Sequence, residues 1–301
     1  MTPRDHHPDQ HGDGDGWVEC AAGHRHWGRY GAAGLLAHRR TTSGTREVLL
    51  QHRAEWSHFG GTWGLLGGAR ASHESAVQGA LREAAEEGAV DAAEVRVDGR
   101  YDDDHVGWSY VTIVGTASDA LAARPSGGES IDVVWHDVCH VTDLPLHPGF
   151  AASWPLLRQA MAPLTVVVDA ANVMGSRPDG WWRDRAGAAR RVVADAVATA
   201  RRGFSDDELP PQLERAPLSH WWPRVVVVVE GAARPVAADD YPDVSVVAAR
   251  ASGDDEIVAQ VASSDAPVLV VTADRELRER CTSAGGAVVG PQWWLHRQPA
   301  T

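Results

Sequence analysis

The chain has 301 residues, 44% of them apolar, which suits about two globular domains and excludes an intrinsically disordered polymer. Its 28 basic residues, all arginine, face 41 acidic ones for a formal charge of −13; this argues against a general polyanion binder but leaves room for a local groove that handles phosphates through metal ions. No apolar run approaches the roughly 20 residues of a membrane span, and Cys20, Cys139 and Cys281 stand far apart with no CxxC pair, so the expectation is a cytoplasmic protein with reduced thiols, no membrane partner, no disulfide framework and no structural zinc site.

In chain order, residues 1–16 (MTPRDHHPDQHGDGDG) are polar and lack the basic, apolar and small-residue order of a secretory signal. They read as a disordered tail, with metal binding by its histidines as the lesser alternative. Residues 46–53 (REVLLQHR), 94–101 (EVRVDGRY), 108–116 (WSYVTIVGT) and 131–138 (IDVVWHDV) read as strands. Residues 76–88 are strong helix formers, and Ser75 with Gln78 fits a capping box at the start of that helix. Residues 151–162 read as a closing helix. A first domain over 17–162 is therefore expected to mix strands with one inserted helix.

The texture changes near Pro163. Residues 164–170 (LTVVVDA), 224–230 (RVVVVVE), 243–249 (DVSVVAA) and 266–273 (APVLVVTA) are near-continuous apolar runs, as in strands buried on both faces of a parallel sheet. Helical stretches at 182–202, 255–263 and 274–284 alternate with them. The second domain, 163–301, is thus expected to be a doubly wound α/β unit. No internal repeat links the two halves.

Two sets of carboxylates carry the chemistry. In the first half, Glu83, Glu86 and Glu87 stand at i, i+3 and i+4 and share one helical face. Three like charges there call for a cation, and Mg²⁺ or Mn²⁺ on such oxygens could neutralise a pyrophosphate and activate a water. Arg82 is expected to pair with Glu74 or a neighbouring carboxylate, and Gly67 and Gly68 allow close backbone approach. Taken alone, REAAEE also fits a solvated Glu/Arg helix face.

The wider spacing decides between these readings. Gly68, five residues, Glu74, seven residues, then Arg82-Glu83, Glu86-Glu87 and Val90 resembles the Nudix box, with Ala89 where that pattern has glycine. The resemblance to MutT-like hydrolases spans roughly residues 27–158. It implies an α/β/α sandwich with a mixed sheet, hydrolysis of a diphosphate linkage in a nucleotide substrate, Glu83, Glu86 and Glu87 as metal ligands, and Arg82, Glu74 and Gly68 in support. A general base commonly lies on a later loop; Glu129 is the candidate, with a surface loop glutamate as the plainer alternative. Asp103, Asp104 and His105 form a second candidate patch that a polar hairpin turn explains better. Trp63 and Trp108 could stack on a base or simply fill the core.

In the second half, Asp169 with Asn172, Glu230 and Asp274 each follow an apolar strand, while Asp254 and Asp255 open a helix. Acids gathered beyond strand ends make a site for divalent ions acting on a phosphodiester; each acid singly could instead be a helix cap. DAANVMG lacks the GxGxxG of a dinucleotide site, and Ala171 stands where an aspartyl phosphatase needs a second Asp. The motif order resembles the NYN group of PIN-like ribonucleases over about residues 164–292. That resemblance implies a Rossmann-like parallel-sheet fold, Asp169, Asp254 and Asp274 as metal ligands with Asp255 assisting, Asn172 orienting Asp169, and single-stranded RNA as a partner. Glu230 replaces the usual Asp.

Arg177, Arg183, Arg185, Arg190, Arg191, Arg201 and Arg202 beside Trp181 and Trp182 suit RNA contact or a plain solvated helix face. The second half is the less acidic, with 15 arginines against 19 acids, compared with 13 against 22 before it. The whole reads as a pyrophosphohydrolase fused to a metal-dependent nuclease. The alternative, from another class, is a nucleotide or RNA sensor in which one or both domains bind without cleaving. Either reading admits a homodimer.

Overall fold

The structure, a computed structural model, describes residues 12–241 and 243–297. The chain divides into two compact units, Met1–Met161 with Pro217–Ser219, and Ala162–Ala216 with His220–Thr301. None of the described helices is long and apolar enough to cross a membrane.

The first unit opens with a small hairpin, β1 (Trp17–Glu19) and β2 (Arg25–Trp27). Strands β3 (Ala32–Arg40), β4 (Arg46–Arg53), β5 (Trp63–Gly64) and β6 (Leu66–Ala69) precede helix α1 (Ala76–Gly88). Strands β7 (Val95–Asp104), β8 (Ser109–Ala117) and β9 (Ser130–Asp137) lead to helix α2 (Pro148–Leu157). The sheet is mixed: β3 runs parallel to β8 and antiparallel to β4 and β6, while β7 pairs antiparallel with β8, and β9 with β4.

Helix α1 forms where its sequence suggests. Ser75 accepts from the Gln78 amide and Gln78 returns a bond to the Ser75 amide, satisfying two donors that a helix start leaves over. Its small residues Ala76, Ala80 and Ala84 pack onto Leu35, Leu66, Val111 and Ile113, bringing the helix axis close to β3 and β6. Strand β3 carries little strand signal of its own because AAGLLAHRR is poor in β-branched residues; its state comes from sheet partners on both sides and from complete burial of residues 32–37.

Residues 1–11 of the expected tail lie outside the described residues. Residues 12–16 depart from a disordered tail. The Arg29 amide donates to the Gly14 carbonyl at 2.7 Å and Asp13 accepts from the Ser72 amide at 2.9 Å, so local hydrogen bonds hold them.

The second unit contains β10 (Thr165–Asp169), α3 (Ala170–Gly175), α4 (Arg185–Arg202), and a two-residue pair, β11 (Phe204–Ser205) with β12 (His220–Trp221). Then follow β13 (Arg224–Val229), β14 (Val244–Ala248), α5 (Gly253–Ala262), β15 (Val268–Val271), α6 (Arg275–Ser283), β16 (Ala287–Val289) and α7 (Pro291–Leu295). Five parallel strands lie in the order β14-β13-β10-β15-β16. Ile257 and Val261 of α5 and Leu277 and Cys281 of α6 pack on Val167 and Val270 of the sheet. The chain turns from β10 toward β13 and β14, then crosses back to β15. This reversal leaves a crevice beyond the carboxyl ends of the central strands.

Candidate active site

In the first unit, β6 and α1 face each other at close range, and glycine makes this distance available. A Cβ at Gly68 would sit 2.8 Å from the Glu83 carboxyl atoms, and one at Gly67 would lie 2.5 Å from the Ala33 carbonyl oxygen. With those positions bare, Glu87 Oε2 accepts from the Gly67 amide at 2.9 Å.

Arg82 holds the frame. Its Nε donates to Glu74 Oε1 at 2.6 Å and its Nη2 to Glu74 Oε2 at 3.0 Å and to the Ala69 carbonyl at 3.0 Å. Nη1 donates to both Glu83 Oε1 and Glu86 Oε2 at 2.9 Å. The guanidinium fork thus ties loop, strand end and helix together. Glu74 also accepts from the Ala71 amide, fixing the loop that enters the helix.

The electrostatics are those of crowded, buried acids. Burial pushes Glu83 up to about 7, against the opposing pull of Arg82. Burial, followed by the Glu83 charge, pushes Glu87 up to about 8, and Glu129 contributes in the same direction to both. Glu86 is half exposed. Two desolvated carboxylates compensated by one arginine and one amide form an oxygen donor set that suits a hard divalent ion, whose charge would offset the cost of ionising them.

Glu129 joins this cluster through its charge. Its backbone is pinned where β9 begins: Ala54 donates to the Glu129 carbonyl at 2.8 Å, and Ser130 Oγ donates to the Glu87 carbonyl at 3.0 Å. Two further residues, carried by no motif, act on the same carboxylates. Tyr110 sends its hydroxyl over Gly34 and Gly67, and burial followed by the Glu87 charge raises its pKa above the usual phenol value. Arg53, at the end of β4, donates to the His58 carbonyl at 3.2 Å, and its charge bears on Glu87 and Tyr110. The only trace of Arg53 in the sequence is a cation at a strand terminus.

Other expected groups are engaged elsewhere. Trp63 stacks on His52 with centroids 4.7 Å apart, and Trp108 stacks on His26 at 4.1 Å, so one face of each indole is covered by an imidazole. Asp104 accepts from the Val106 amide at 2.8 Å, closing the polar hairpin turn that better explained its patch.

The NUDIX domain model matches residues 31–159. A Mycobacterium tuberculosis (strain H37Rv) protein named "Putative 8-oxo-dGTP diphosphatase 3" is 51% identical over 159 residues, covering 50% of this chain and 72% of that one. The chain belongs to the Nudix family. Another Nudix relative, the "Nucleoside triphosphate pyrophosphatase/Nudix hydrolase fusion protein" of Bifidobacterium longum, is 42% identical over 149 residues, which are 48% of this chain and 31% of that protein. The crystal structure of a Nudix hydrolase from M. smegmatis, RenU, shares 46% identity over 48% of this chain and 93% of its own, with a TM-score of 0.45. The Nudix domain thus occupies the first unit, and Nudix hydrolases act on pyrophosphate bonds, generally with a divalent metal.

The second unit gathers its acids at the crevice of the parallel sheet. Asp169, 6% exposed, accepts from the Asn172 amide at 3.0 Å, from Asn172 Nδ2 at 3.0 Å and from Thr272 Oγ1 at 2.8 Å. Burial raises its pKa, with Glu230 adding to the rise. Asp254 is likewise raised by burial first, then by Asp169 and Asp274. Asp274 caps α6 through the Leu277 amide at 2.8 Å, and Glu230 accepts from the Gly253 amide at 3.0 Å.

Asp255, expected to assist this set, is ion-paired. Arg280 Nη2 donates to it at 2.5 Å, and the charge of the same guanidinium also bears on Asp254. Much of the arginine set is likewise ion-paired: Arg177 with Asp195, Arg190 with Asp239, Arg191 with Asp179, Arg201 with Asp243 and Arg202 with Glu208. That pattern favours the solvated-face reading. Arg185 lies over the Trp181 ring at 5.6 Å, and Trp182 is exposed.

Proposed function

We propose that the first unit hydrolyses a purine nucleoside triphosphate carrying an oxidised base, of the 8-oxo-dGTP class, at a diphosphate linkage. The observation that carries the reaction type is the buried Glu83–Glu87 pair facing Gly67 and Gly68 with Arg82 beside it. The base preference rests on the 51% identity to the mycobacterial protein of that name.

Glu83, Glu86 and Glu87 would hold Mg²⁺ or Mn²⁺. When bound, such an ion neutralises phosphate charge and lowers the pKa of a coordinated water. The chain's own residues supply the rest. Arg82 orients Glu83 and Glu86 while Glu74 fixes Arg82, and Gly67 orients Glu87 through its amide. Arg53 offers a guanidinium to a substrate phosphate. A carboxylate oxygen of Glu129 takes the proton of the attacking water, a role suited by its pinned backbone and its position within the field of both buried glutamates.

The test is a panel of 8-oxo-dGTP, dGTP, ADP-ribose, dinucleoside polyphosphates and capped RNA with Mg²⁺ and a phosphate readout. The expected result is highest kcat/KM on 8-oxo-dGTP and loss of turnover in Glu87→Gln. No turnover of any substrate by the folded protein would overturn the reaction type, and equal rates on dGTP and 8-oxo-dGTP the base preference. Tight binding without product, unchanged by Glu87→Gln, would favour a sensor.

For the second unit, we propose a PIN-like, metal-dependent ribonuclease of the NYN type. The supporting observation is the shared field of Asp169, Glu230, Asp254 and Asp274 at the sheet crevice. Mn²⁺-dependent cleavage of single-stranded RNA that disappears in Asp169→Asn, with nucleotide hydrolysis intact, is the expected result. Cleavage that persists in that variant would sink the assignment.

A further inference from the structure

The first hairpin carries a group of side chains that neither catalytic reading uses. Cys20 follows β1, His24 and His26 surround the start of β2, and His105 lies in the turn between β7 and β8. One donor atom from each of the four lies within 4.8 Å of all the others, and this is the group of three or more metal-ligating residues that the described residues contain at such spacing. Around a tetrahedral zinc, sulfur and nitrogen ligands stand about 3.3 to 3.6 Å apart, so side-chain adjustments of roughly 1 Å would close the shell.

We propose that Cys20, His24, His26 and His105 form a binding site for one transition-metal ion, zinc by the character of the donors. One thiolate and three imidazoles are a borderline-soft set that matches zinc and is foreign to Mg²⁺ or Ca²⁺. The absence of a CxxC pair hides the group in the sequence, because three of its ligands are histidines and one of them comes from 79 residues beyond its neighbour, in the turn whose Val106 carbonyl accepts from the Ala21 amide at 3.0 Å.

The surroundings are built rather than incidental. Cys20 is buried, and its backbone accepts from the Gly23 amide while donating to the His24 carbonyl at 2.9 Å, which forms the tight turn between the first two ligands. The His26 ring lies flat on Trp108, 13° from parallel, and Trp108 Nε1 donates to the Gly28 carbonyl at 3.0 Å, so the imidazole plane is fixed from below. His26 Nε2 is buried and has no hydrogen-bond partner, a cost that a metal bond would remove. Asp103 Oδ2 stands 3.4 Å from His105 Nε2, placing a carboxylate to orient that ring as outer partners of metal-bound histidines do.

Four protein donors leave no open position, so the site is structural. Binding takes the proton from the Cys20 thiol and releases it to solvent. The ion fastens β1 and β2, each three residues long and marginal as an isolated hairpin, to the turn after β7.

Co²⁺ is the probe. The full-length, tag-free, metal-stripped protein titrated with Co²⁺ is expected to develop the intense visible bands of a tetrahedral centre and a thiolate-to-cobalt charge-transfer band, saturating at one equivalent and bleached by Zn²⁺. Cys20→Ser should abolish the charge-transfer band, whereas Cys139→Ser and the His6/His7/His11→Ala triple variant should retain it. His24 is exposed, so His24→Ala tests the site without disturbing the core, and weaker Co²⁺ binding is expected. Zn²⁺ should also raise the unfolding temperature of the stripped wild type more than that of His24→Ala. A weak octahedral cobalt spectrum, a charge-transfer band that survives Cys20→Ser, or Co²⁺ affinity unchanged in His24→Ala would each overturn the site.

Discussion

Gly68 lies against Glu83 so closely that an added methyl group would come within 2.8 Å of the carboxyl carbon and of both carboxyl oxygens. The side chain must then swing away from its bond with Arg82, while the buried core beneath remains unchanged. Gly68→Ala is therefore expected to fold with near-wild-type stability yet lose about 100-fold in kcat/KM, the scale of a displacement of about 1 Å at a reacting centre. Circular dichroism melts beside steady-state kinetics check this; full activity would show that Glu83 need not occupy this position.

Arg82 connects three carboxylates and a carbonyl through a planar fork, and lysine offers a single ammonium in its place. Arg82→Lys should destabilise the first unit by about 1 to 2 kcal/mol, below the value for a fully buried pair because the arginine side chain is a third exposed. In a double-mutant cycle with Glu74→Gln, the two losses should be clearly less than additive. Additive losses would mean that the pair is not coupled.

Ala89 ends α1 at φ 51° and ψ 33°, the left-handed region where a Cβ is penalised, and its amide bonds back to the Ala84 and Ala85 carbonyls. The sequence departs here from the Nudix pattern, which has glycine. Ala89→Gly should raise stability by about 0.5 to 1 kcal/mol, the left-handed penalty less the extra chain entropy of glycine. The variant should leave kcat unchanged, since the residue lies beyond the box glutamates. A fall in the unfolding temperature would contradict this account of the helix exit.

His147 caps α2, its Nδ1 accepting from the Gly149 amide at 3.2 Å, and burial followed by the Arg53 charge depresses its pKa to about 4. A protonated ring cannot accept that bond. The folded pKa lies below the ordinary 6.5, so the contribution is fully present above pH 6.5 and is lost as pH falls toward about 4. His147→Asn keeps a capping acceptor and removes the titration. Its unfolding temperature should fall less than that of the wild type over this window, and parallel curves would refute the assignment.

Legibility in the sequence followed the range of the interactions involved. REVLLQHR and the Ala-rich α1 carry their own signals, and Ser75 with Gln78 marks the helix start at the residue observed. Strand β3 carries almost none: alanine, glycine and leucine become a central strand only because β4, β6 and β8 pair with them. The box glutamates and Arg82 were readable because one helix spaces them. Arg53 and Tyr110 were not, since their approach to Glu87 depends on where β4 and β8 fall in the sheet. The same limit hid Arg280, which bonds Asp255 and also bears on Asp254 only because α5 and α6 pack side by side.

Asp169 offers the sharpest test of the second unit because both of its oxygens are already assigned. Oδ1 accepts one amide, while Oδ2 accepts from Asn172 Nδ2 and Thr272 Oγ1. Asparagine at 169 is nearly isosteric, but its amide NH₂ must replace one of these acceptors and so face a donor. It also removes a charge that Asp254 now opposes. Two effects of opposite sign on stability are therefore expected, leaving a net change within about 1 kcal/mol. Mn²⁺ affinity carries no such compensation and should drop sharply in Asp169→Asn. Thr272→Val, which removes one donor and no charge, should leave Asp169 ionised and retain most of the Mn²⁺ binding. Calorimetric titration of both variants separates a ligand from a helix cap: equal Mn²⁺ affinity in wild type and Asp169→Asn would reduce this aspartate to the cap of α3.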